Sequence, residues 1–387
     1  MRLRNAYVAG LVAFVVTAVV SHRIPTPYDN YVILADAWLH GHAWVSIPGN
    51  YIDALPFHDG RYYIIEAPMP AVLLLPAVAF FGLHANQTLL AMLLAGVAVG
   101  AAWELGERLG LSAERNAWIC AFLLAGTDLL WCAMLGDVWF IAHVSSVCFT
   151  MLALAELAGK RRAWLVMLWA ACAFESRFSL IAAVPVYAYL CLDVAGPGRR
   201  PRRSAQLAGI AAVLLPVAAL WAWYNYARWG TWNDLGYTLW YHQDSAGLPA
   251  GSPFRLEYLP MQLWSLFVQW PQWQPQFPYL VPSQLGTALT WTSPALVLAF
   301  LARTPRRWTI AMWAASLLTA IPNLLYYVDG YDQFGMRHAL DFEPFLIALM
   351  MLGVRDRFPR WGYALIAYSV AAGLWGCWFW NTFVRTS

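Results

Sequence analysis

The stretch YVAGLVAFVVTAVVSHRIPTPYDNYVILADAWLHG, residues 7–41, decides how this chain is read. Its first half is apolar and nearly long enough to cross a bilayer as a helix. Its second half is helix-like but carries two carboxylates, Asp29 and Asp36, seven residues apart. Seven residues is almost two turns, so in a helix both would share a face, roughly 10 Å apart along the axis. The basic start and apolar core of residues 1–20 have the shape of a signal peptide. The sequence AVVSHR that follows lacks a small-x-small cleavage site, so the expectation is an uncleaved first span.

Working outward, the composition is that of a polytopic membrane protein. Hydrophobic residues make up 61% and charged residues 12%, with a mean hydropathy of +0.52, against about 25% charged residues in soluble domains. The net charge is only +3, and Lys160 is the one lysine among 24 basic residues. The arginines cluster between apolar runs, which is a topology signal rather than a nucleic-acid patch. The six cysteines sit inside apolar runs without CxxC spacing, arguing against disulfides and a thiolate metal site.

A helical span needs about 20 apolar residues. The runs 6–21, 86–104, 117–135, 138–158, 164–174, 178–192, 207–224, 285–302, 308–327, 338–353 and 362–381 predict about eleven spans, an all-α fold forming a single integral membrane domain over 1–387. The run MPAVLLLPAVAFFGL (69–83), short and interrupted by two prolines, reads as interfacial or re-entrant. With the N-terminus inside, the segments 1–5, 105–116, 159–163, 193–206, 303–307 and 354–361 face the cytoplasm. They hold 2, 2, 3, 4, 3 and 3 basic residues, 17 of the 24, the asymmetry that the positive-inside rule expects. Two outer loops result, 22–68 and an aromatic-rich 225–284.

The first outer loop holds Asp29, Asp36, Asp53, Asp59 and Glu66. Any one of these could serve solubility alone. Asp29 differs because it lies where the chain leaves the bilayer, and a carboxylate partly withdrawn from water is a stronger base. Ionisable residues in or beside spans are functional candidates by default. Asp137 and His143 lie at the outer end of the fourth span. Asp128 lies deeper, and a bond to a neighbouring helix would explain it equally well. Asp341 and Glu343 lie near Arg337, and a structural ion pair with that arginine is an equal alternative to a catalytic role.

A resemblance connects these regions. An apolar helix is followed by Asp29, by Tyr31 to Gly41 in the pattern Y-x-x-x-A-x-x-x-L-x-x-G, and by DGRYYIIEAPMPAVLLLP (59–76). Later come YNYARWGTWNDLGY (224–237) and GYDQFGMRHALDFEPFLIAL (330–349). Together they resemble the GT-C-fold glycosyltransferases that use polyprenyl-phosphate sugars, such as protein O-mannosyltransferases and lipid A aminoarabinose transferases. The resemblance implies a GT-C-like layout with short interfacial helices in the outer loops, and inverting sugar transfer at the extracytoplasmic face of a bacterial inner membrane. An acid at the end of the first span would be general base on the acceptor hydroxyl, the position of Asp29. Asp36 and Asp53 remain alternative bases, and Glu66, Asp137 and His143 would line the cavity. Asn30 stands where relatives have a second acid, which weakens the case for a metal-binding acidic pair. No metal ligand is assigned, although Mg or Mn remains compatible with this chemistry.

The leaving phosphate needs cations, and arginine offers a fork of donors suited to it. Outer-side arginines are few. Arg337 and Arg61 are the main candidates and Arg177 the third, although Glu175 could pair with Arg177 locally. The motifs would add Tyr62, Tyr63 and Asp332 to the substrate-binding surface. Ala67 replaces the lysine that the aminoarabinose transferases carry before the proline corresponding to Pro68, so phosphate binding must be arranged differently here. Arg228, at a span end, would snorkel to headgroups. The cluster LWSLFVQWPQWQPQFPYL (263–280) could cover a prenyl chain, stack on sugars, or lie among headgroups. The expected partners are a polyprenyl-phosphate sugar, a lipid, polysaccharide or protein acceptor, and membrane lipid, with no nucleic acid. The alternatives to an enzyme are a transporter or flippase of polyprenyl-linked or other amphipathic lipid, for which neither internal repeat symmetry nor paired broken helices are visible, and a catalytically silent assembly partner.

Overall fold

A computed structural model describes residues 2–46, 54–57, 60–193, 202–244, 247 and 251–385. Asp53 lies outside them. The chain is mostly helical, with two short hairpins. Helix α1 (Arg2–Val20) leads to α2 (Asn30–Leu39), then to a hairpin of β1 (Ala54–Phe57) and β2 (Arg61–Ile64), then to α3 (Met69–Phe81). The hairpin is antiparallel, with Ala54 opposite Ile64 and Phe57 opposite Arg61. Next come α4 (Gln87–Leu109), α5 (Ala113–Ala125), α6 (Leu129–Leu135), α7 (Val138–Ala158), α8 (Ala163–Phe174), α9 (Val184–Leu192) and α10 (Arg203–Trp229). The last part contains α11 (Gly236–Gln243), α12 (Leu259–Phe267), strands β3 (Gln272–Trp273) and β4 (Leu280–Val281), α13 (Leu289–Thr292), α14 (Arg306–Leu324), α15 (Glu343–Val354) and α16 (Arg360–Phe379).

Among the described residues, four helices are long and apolar enough to cross a membrane: α4, α7, α10, and α16 with its π-helical continuation to Val384. The pair α5 and α6, bent by 50°, would make a fifth. Others, including α8 and α15, are apolar but shorter. The expected run 285–302 is not one helix; it is the four-residue α13 followed by a 3-10 turn over Pro294–Leu301. The run 338–353 likewise begins as a 3-10 turn, Arg337–Asp341, before α15. Backbone groups released at such breaks are tolerated at membrane depth only where protein surrounds them; Thr292 and Ser293 at the first break are buried, as is most of the turn Arg337–Asp341 at the second. The second break also carries Arg337 and Asp341.

Helix α4 packs between α1 and α7. Its contact with α1 is a backbone approach: a Cβ on Gly10 would lie 2.8 Å from the Gly96 carbonyl oxygen, and one on Gly100 3.0 Å from that of Ala6. Small residues four apart on both helices allow this approach, and in lipid such close van der Waals packing drives association. Helix α7 is the centre and almost wholly buried, whereas α10 lies on the periphery with most of its apolar residues outside the core. Asn86 caps α4 by accepting from the Leu89 N–H at 2.9 Å. The last carbonyls of α1 and the turn after it, at Val20, Ser21 and Ile24, accept from Asn381 and Arg385 at the chain's other end.

Candidate functional site

Asp29 is the N-cap residue of α2 and is half-buried; its backbone carbonyl accepts from Val32 and Ile33. The residues just before it are stitched to the start of α7. The Tyr28 carbonyl accepts from the Val138 N–H at 3.1 Å, and the Tyr28 ring packs on Trp139 with centroids 5.3 Å apart. Thr26 donates to Asp137, the N-cap residue of α7. Gln87, at the start of α4, donates to the carbonyls of Tyr28 (3.1 Å) and Gly136 (2.8 Å) and accepts from the Tyr31 N–H (3.2 Å). Asp29 and Asp137, over a hundred residues apart, thus lie on adjoining backbone segments. Burial pushes the Asp137 carboxyl up to about 6, against the Thr26 bond and the charge of Arg385.

Six residues into α7, about 9 Å along its axis, His143 begins a buried polar cluster. Asp341, fully buried at the end of the 3-10 turn, is its hub. It accepts from Arg177 Nε at 3.2 Å and Nη2 at 3.2 Å, from Ser179 Oγ at 2.6 Å and from Asn323 Nδ2 at 2.9 Å. His143 Nδ1 lies 3.0 Å from its other oxygen contact. A carboxylate with this many donors is satisfied in spite of its burial. Its partners come from α7, from the turn after α8, and from α14, so one side chain ties three elements. Arg177, still 17% exposed, is fixed through Nε and Nη2. Tyr31 of α2, two residues from Asp29, and Tyr237 of α11 lie in its neighbourhood.

Arg337 approaches the same region from behind. Its guanidinium donates to Gln333 Oε1 (2.7 Å) and the Tyr331 carbonyl (3.2 Å) and stands 5.5 Å from the Phe140 ring of α7. Both Arg177 and Arg337 act electrostatically on His143 and His338, whose rings are 5.4 Å apart. Two of the three expected phosphate arginines are therefore brought together. The third, Arg61, is exposed on the hairpin, its guanidinium 5.0 Å from the Trp44 ring. The expected ion pair between Asp341 and Arg337 is replaced by the one with Arg177.

The remaining candidates are placed as follows. Asp36 is one-third exposed on α2 and pairs with His40 one turn on, at 3.6 Å. Glu66 is buried just after β2. Tyr62 bridges to Val45, whose N–H donates to its carbonyl at 2.8 Å, while Tyr63 is buried against Phe57 and Trp229. Asp332 is exposed, with a positive φ of 45°, and accepts from Gln284 at 2.7 Å. Among the described residues no group of three or more His, Cys, Asp or Glu is gathered as a metal ion would need.

Two expectations about partners are corrected. Arg228 does not snorkel: it is buried, donating to the Ile64 carbonyl (3.2 Å) and Asn225 (2.7 Å), 3.6 Å from Asp234, with Tyr224 and Trp229 against its guanidinium. Enough acceptors and rings meet it there to replace the headgroups it would otherwise seek. Glu175 does not pair with Arg177; it feels Arg228 and Asp234 instead, and burial pushes its carboxyl up to about 7. Ser179, Asn323 and His338 were not singled out from the sequence. A visible signal existed for one of them, since Asn323 is a polar residue beside Pro322 in an otherwise apolar run. Compared with known proteins, the chain matches no family model, no curated protein and no solved structure.

Proposed function

We propose that this chain is a GT-C-type membrane glycosyltransferase that moves a sugar from a polyprenyl phosphate to an acceptor hydroxyl at the outer face of a bacterial cytoplasmic membrane. The eleven-span topology, its shorter helices crossing as broken spans, belongs to this reading. The observation that supports it is the stitching of the Tyr28–Tyr31 segment, with Asp29 at the N-cap of α2, to the start of α7, the helix whose His143 shares Asp341 with Arg177. Asp29 takes the proton of the acceptor hydroxyl as that oxygen bonds to the anomeric carbon. The bond from that carbon to the phosphate oxygen breaks on the opposite face, giving inversion. The charge left on polyprenyl phosphate is met by Arg177 and Arg337, whose guanidiniums are already held in place. One carboxylate suffices because a phosphate leaving group needs no proton, unlike the alkoxide of a glycosidase.

The test is turnover of purified Asp29→Asn and Asp36→Asn proteins with a polyprenyl-phosphate sugar and a hydroxyl acceptor. Asparagine keeps size and some hydrogen bonding while removing basicity, so donor binding survives. Turnover of the Asp29 variant falls by roughly 10² to 10⁴, the usual contribution of a positioned base, whereas Asp36→Asn leaves it nearly unchanged. The reverse pattern would assign the base to the wrong carboxylate. Wild-type protein that moves labelled polyprenyl lipid across vesicles and never transfers sugar would replace the enzyme with a flippase.

A further inference from the structure

Helix α12 is amphipathic the wrong way round for a protein in water. Its polar residues face inward: Gln262 and Ser265 are buried, and Gln262 donates to the Tyr326 and Val328 carbonyls, each at 2.9 Å. Ser265 donates to Asp329, and Gln269, just beyond the helix, donates to Ser283 at 2.6 Å. Leu266 aside, which is buried, its apolar residues turn outward, with Leu263, Trp264, Phe267 and Val268 exposed by 38%, 59%, 50% and 46%. The β3–β4 hairpin continues the surface. Trp273 is 76% exposed and stacks on Tyr279 at 6.1 Å, with Phe277 64% exposed beside them. From Tyr258 to Ala302 there is no charged residue. Monomeric soluble proteins rarely expose contiguous apolar surface of this kind.

We propose that α12 and the β3–β4 hairpin are seated in the outer interface of the bilayer and form a membrane-embedded cap over the 326–333 loop. Three observations select lipid as the occupant. The inverted amphipathicity is what an apolar medium outside and a polar loop inside demand, since buried amide and hydroxyl groups must be hydrogen-bonded to protein there. The exposed aromatics are rich in tryptophan and tyrosine, the residues of the membrane–water interface. The patch is also continuous with a candidate span: Phe277 meets Trp378 and Phe383, on α16 and its π-helical continuation, at 6.2 and 5.8 Å. The charges resume at the rim, where Arg255 and Glu257 pair at 2.7 Å and are exposed. The loop beneath α12 is the one whose Gln333 and Tyr331 hold Arg337, so the cap ties the lipid surface to that arginine. The inference rests on the membrane reading alone and survives if the glycosyltransferase proposal fails.

The experiment places a single cysteine at position 264, 273 or 257 in a background whose six native cysteines are replaced. Each is labelled with an environment-sensitive fluorophore, and the protein is reconstituted in nanodiscs. The labels of Trp264→Cys and Trp273→Cys lose emission to nitroxide-labelled lipid and keep it in aqueous iodide; the label of Glu257→Cys does the reverse. Labels at 264 and 273 that iodide quenches and lipid does not would overturn the cap. So would labels reached by neither quencher, which would mean that a protein partner or second copy covers the face. Should the cysteine-free background fail to fold, a benzophenone amino acid at position 273 of the otherwise unaltered chain answers the same question. Crosslinking to phospholipid supports the cap, and crosslinking to protein or to nothing overturns it.

Discussion

Arg177 and Asp341, 164 positions apart in the chain, form the ion pair around which the site is organised, with Nε 3.2 Å from Oδ1 and the carboxylate wholly buried. Removing one partner of a buried pair leaves an uncompensated charge, a loss of about 3–5 kcal/mol. Arg177→Ala therefore lowers the thermal unfolding midpoint of the detergent-solubilised protein sharply, because it strands the wholly buried carboxylate, and Asp341→Ala does so less because the arginine it strands is partly exposed. Equal, small shifts for both would show that Asp341 is not the hub.

Donor binding separates the arginines. Arg177→Ala and Arg337→Ala each weaken binding of polyprenyl phosphate by about 1.5–3 kcal/mol, the range of a charged hydrogen bond, measured directly by titration. Arg255, exposed and paired with Glu257, is the neutral control. Arg385 is a poor one, because it holds the carbonyls of Ser21 and Ile24.

Glu175 gives a pH dependence with a definite sign. Its folded carboxyl is raised from 4.5 to about 7 by burial, so the folded state binds more protons than the unfolded state between these values. Its contribution to stability is full below about pH 4.5 and is lost as pH rises through about 7. Glu175→Gln removes this slope. Unfolding midpoints across that window should fall more steeply for the wild type than for the variant, and parallel curves would refute the assignment.

The α1–α4 approach leaves no room for a side chain. Gly96→Leu places its Cβ 2.9 Å from the Gly10 carbonyl oxygen, and the helices must separate at about 1–3 kcal/mol, the range for overpacking. Val97→Leu, one residue on and 46% exposed, leaves the unfolding midpoint nearly unchanged. The comparison is made by thermal unfolding in the same detergent.

Orientation is tested by Ser46→Cys, at an exposed position in the segment 22–68 that the proposed topology places outside. In a cysteine-free background, a membrane-impermeant maleimide added to intact cells labels it. Labelling only after permeabilisation would invert the proposed topology.

What the sequence by itself determined is the mostly helical class, the apolar runs long enough to cross a membrane and the local punctuation. On the membrane reading, those runs follow from the chain's need to satisfy its backbone in lipid, and the arginines between them and aromatics at their ends from where lipid meets water; both act residue by residue. Asp29 at the start of a helix and Asp137 before another were legible for the same reason, since helix starts have local signatures. Tertiary structure alone decided the partners. Whether Arg177 turns to Glu175, two residues away, or to Asp341 at the far end of the chain depends on which carboxylate the packed helices bring to its fork. Likewise Arg228, readable as a snorkelling residue, is buried because the Ile64 carbonyl, Asn225 and Asp234 are assembled around it. The broken runs at 285–302 and 338–353 were equally out of reach. Hydropathy records how apolar a segment is, whereas a 3-10 turn at membrane depth depends on neighbouring chains that shield its backbone.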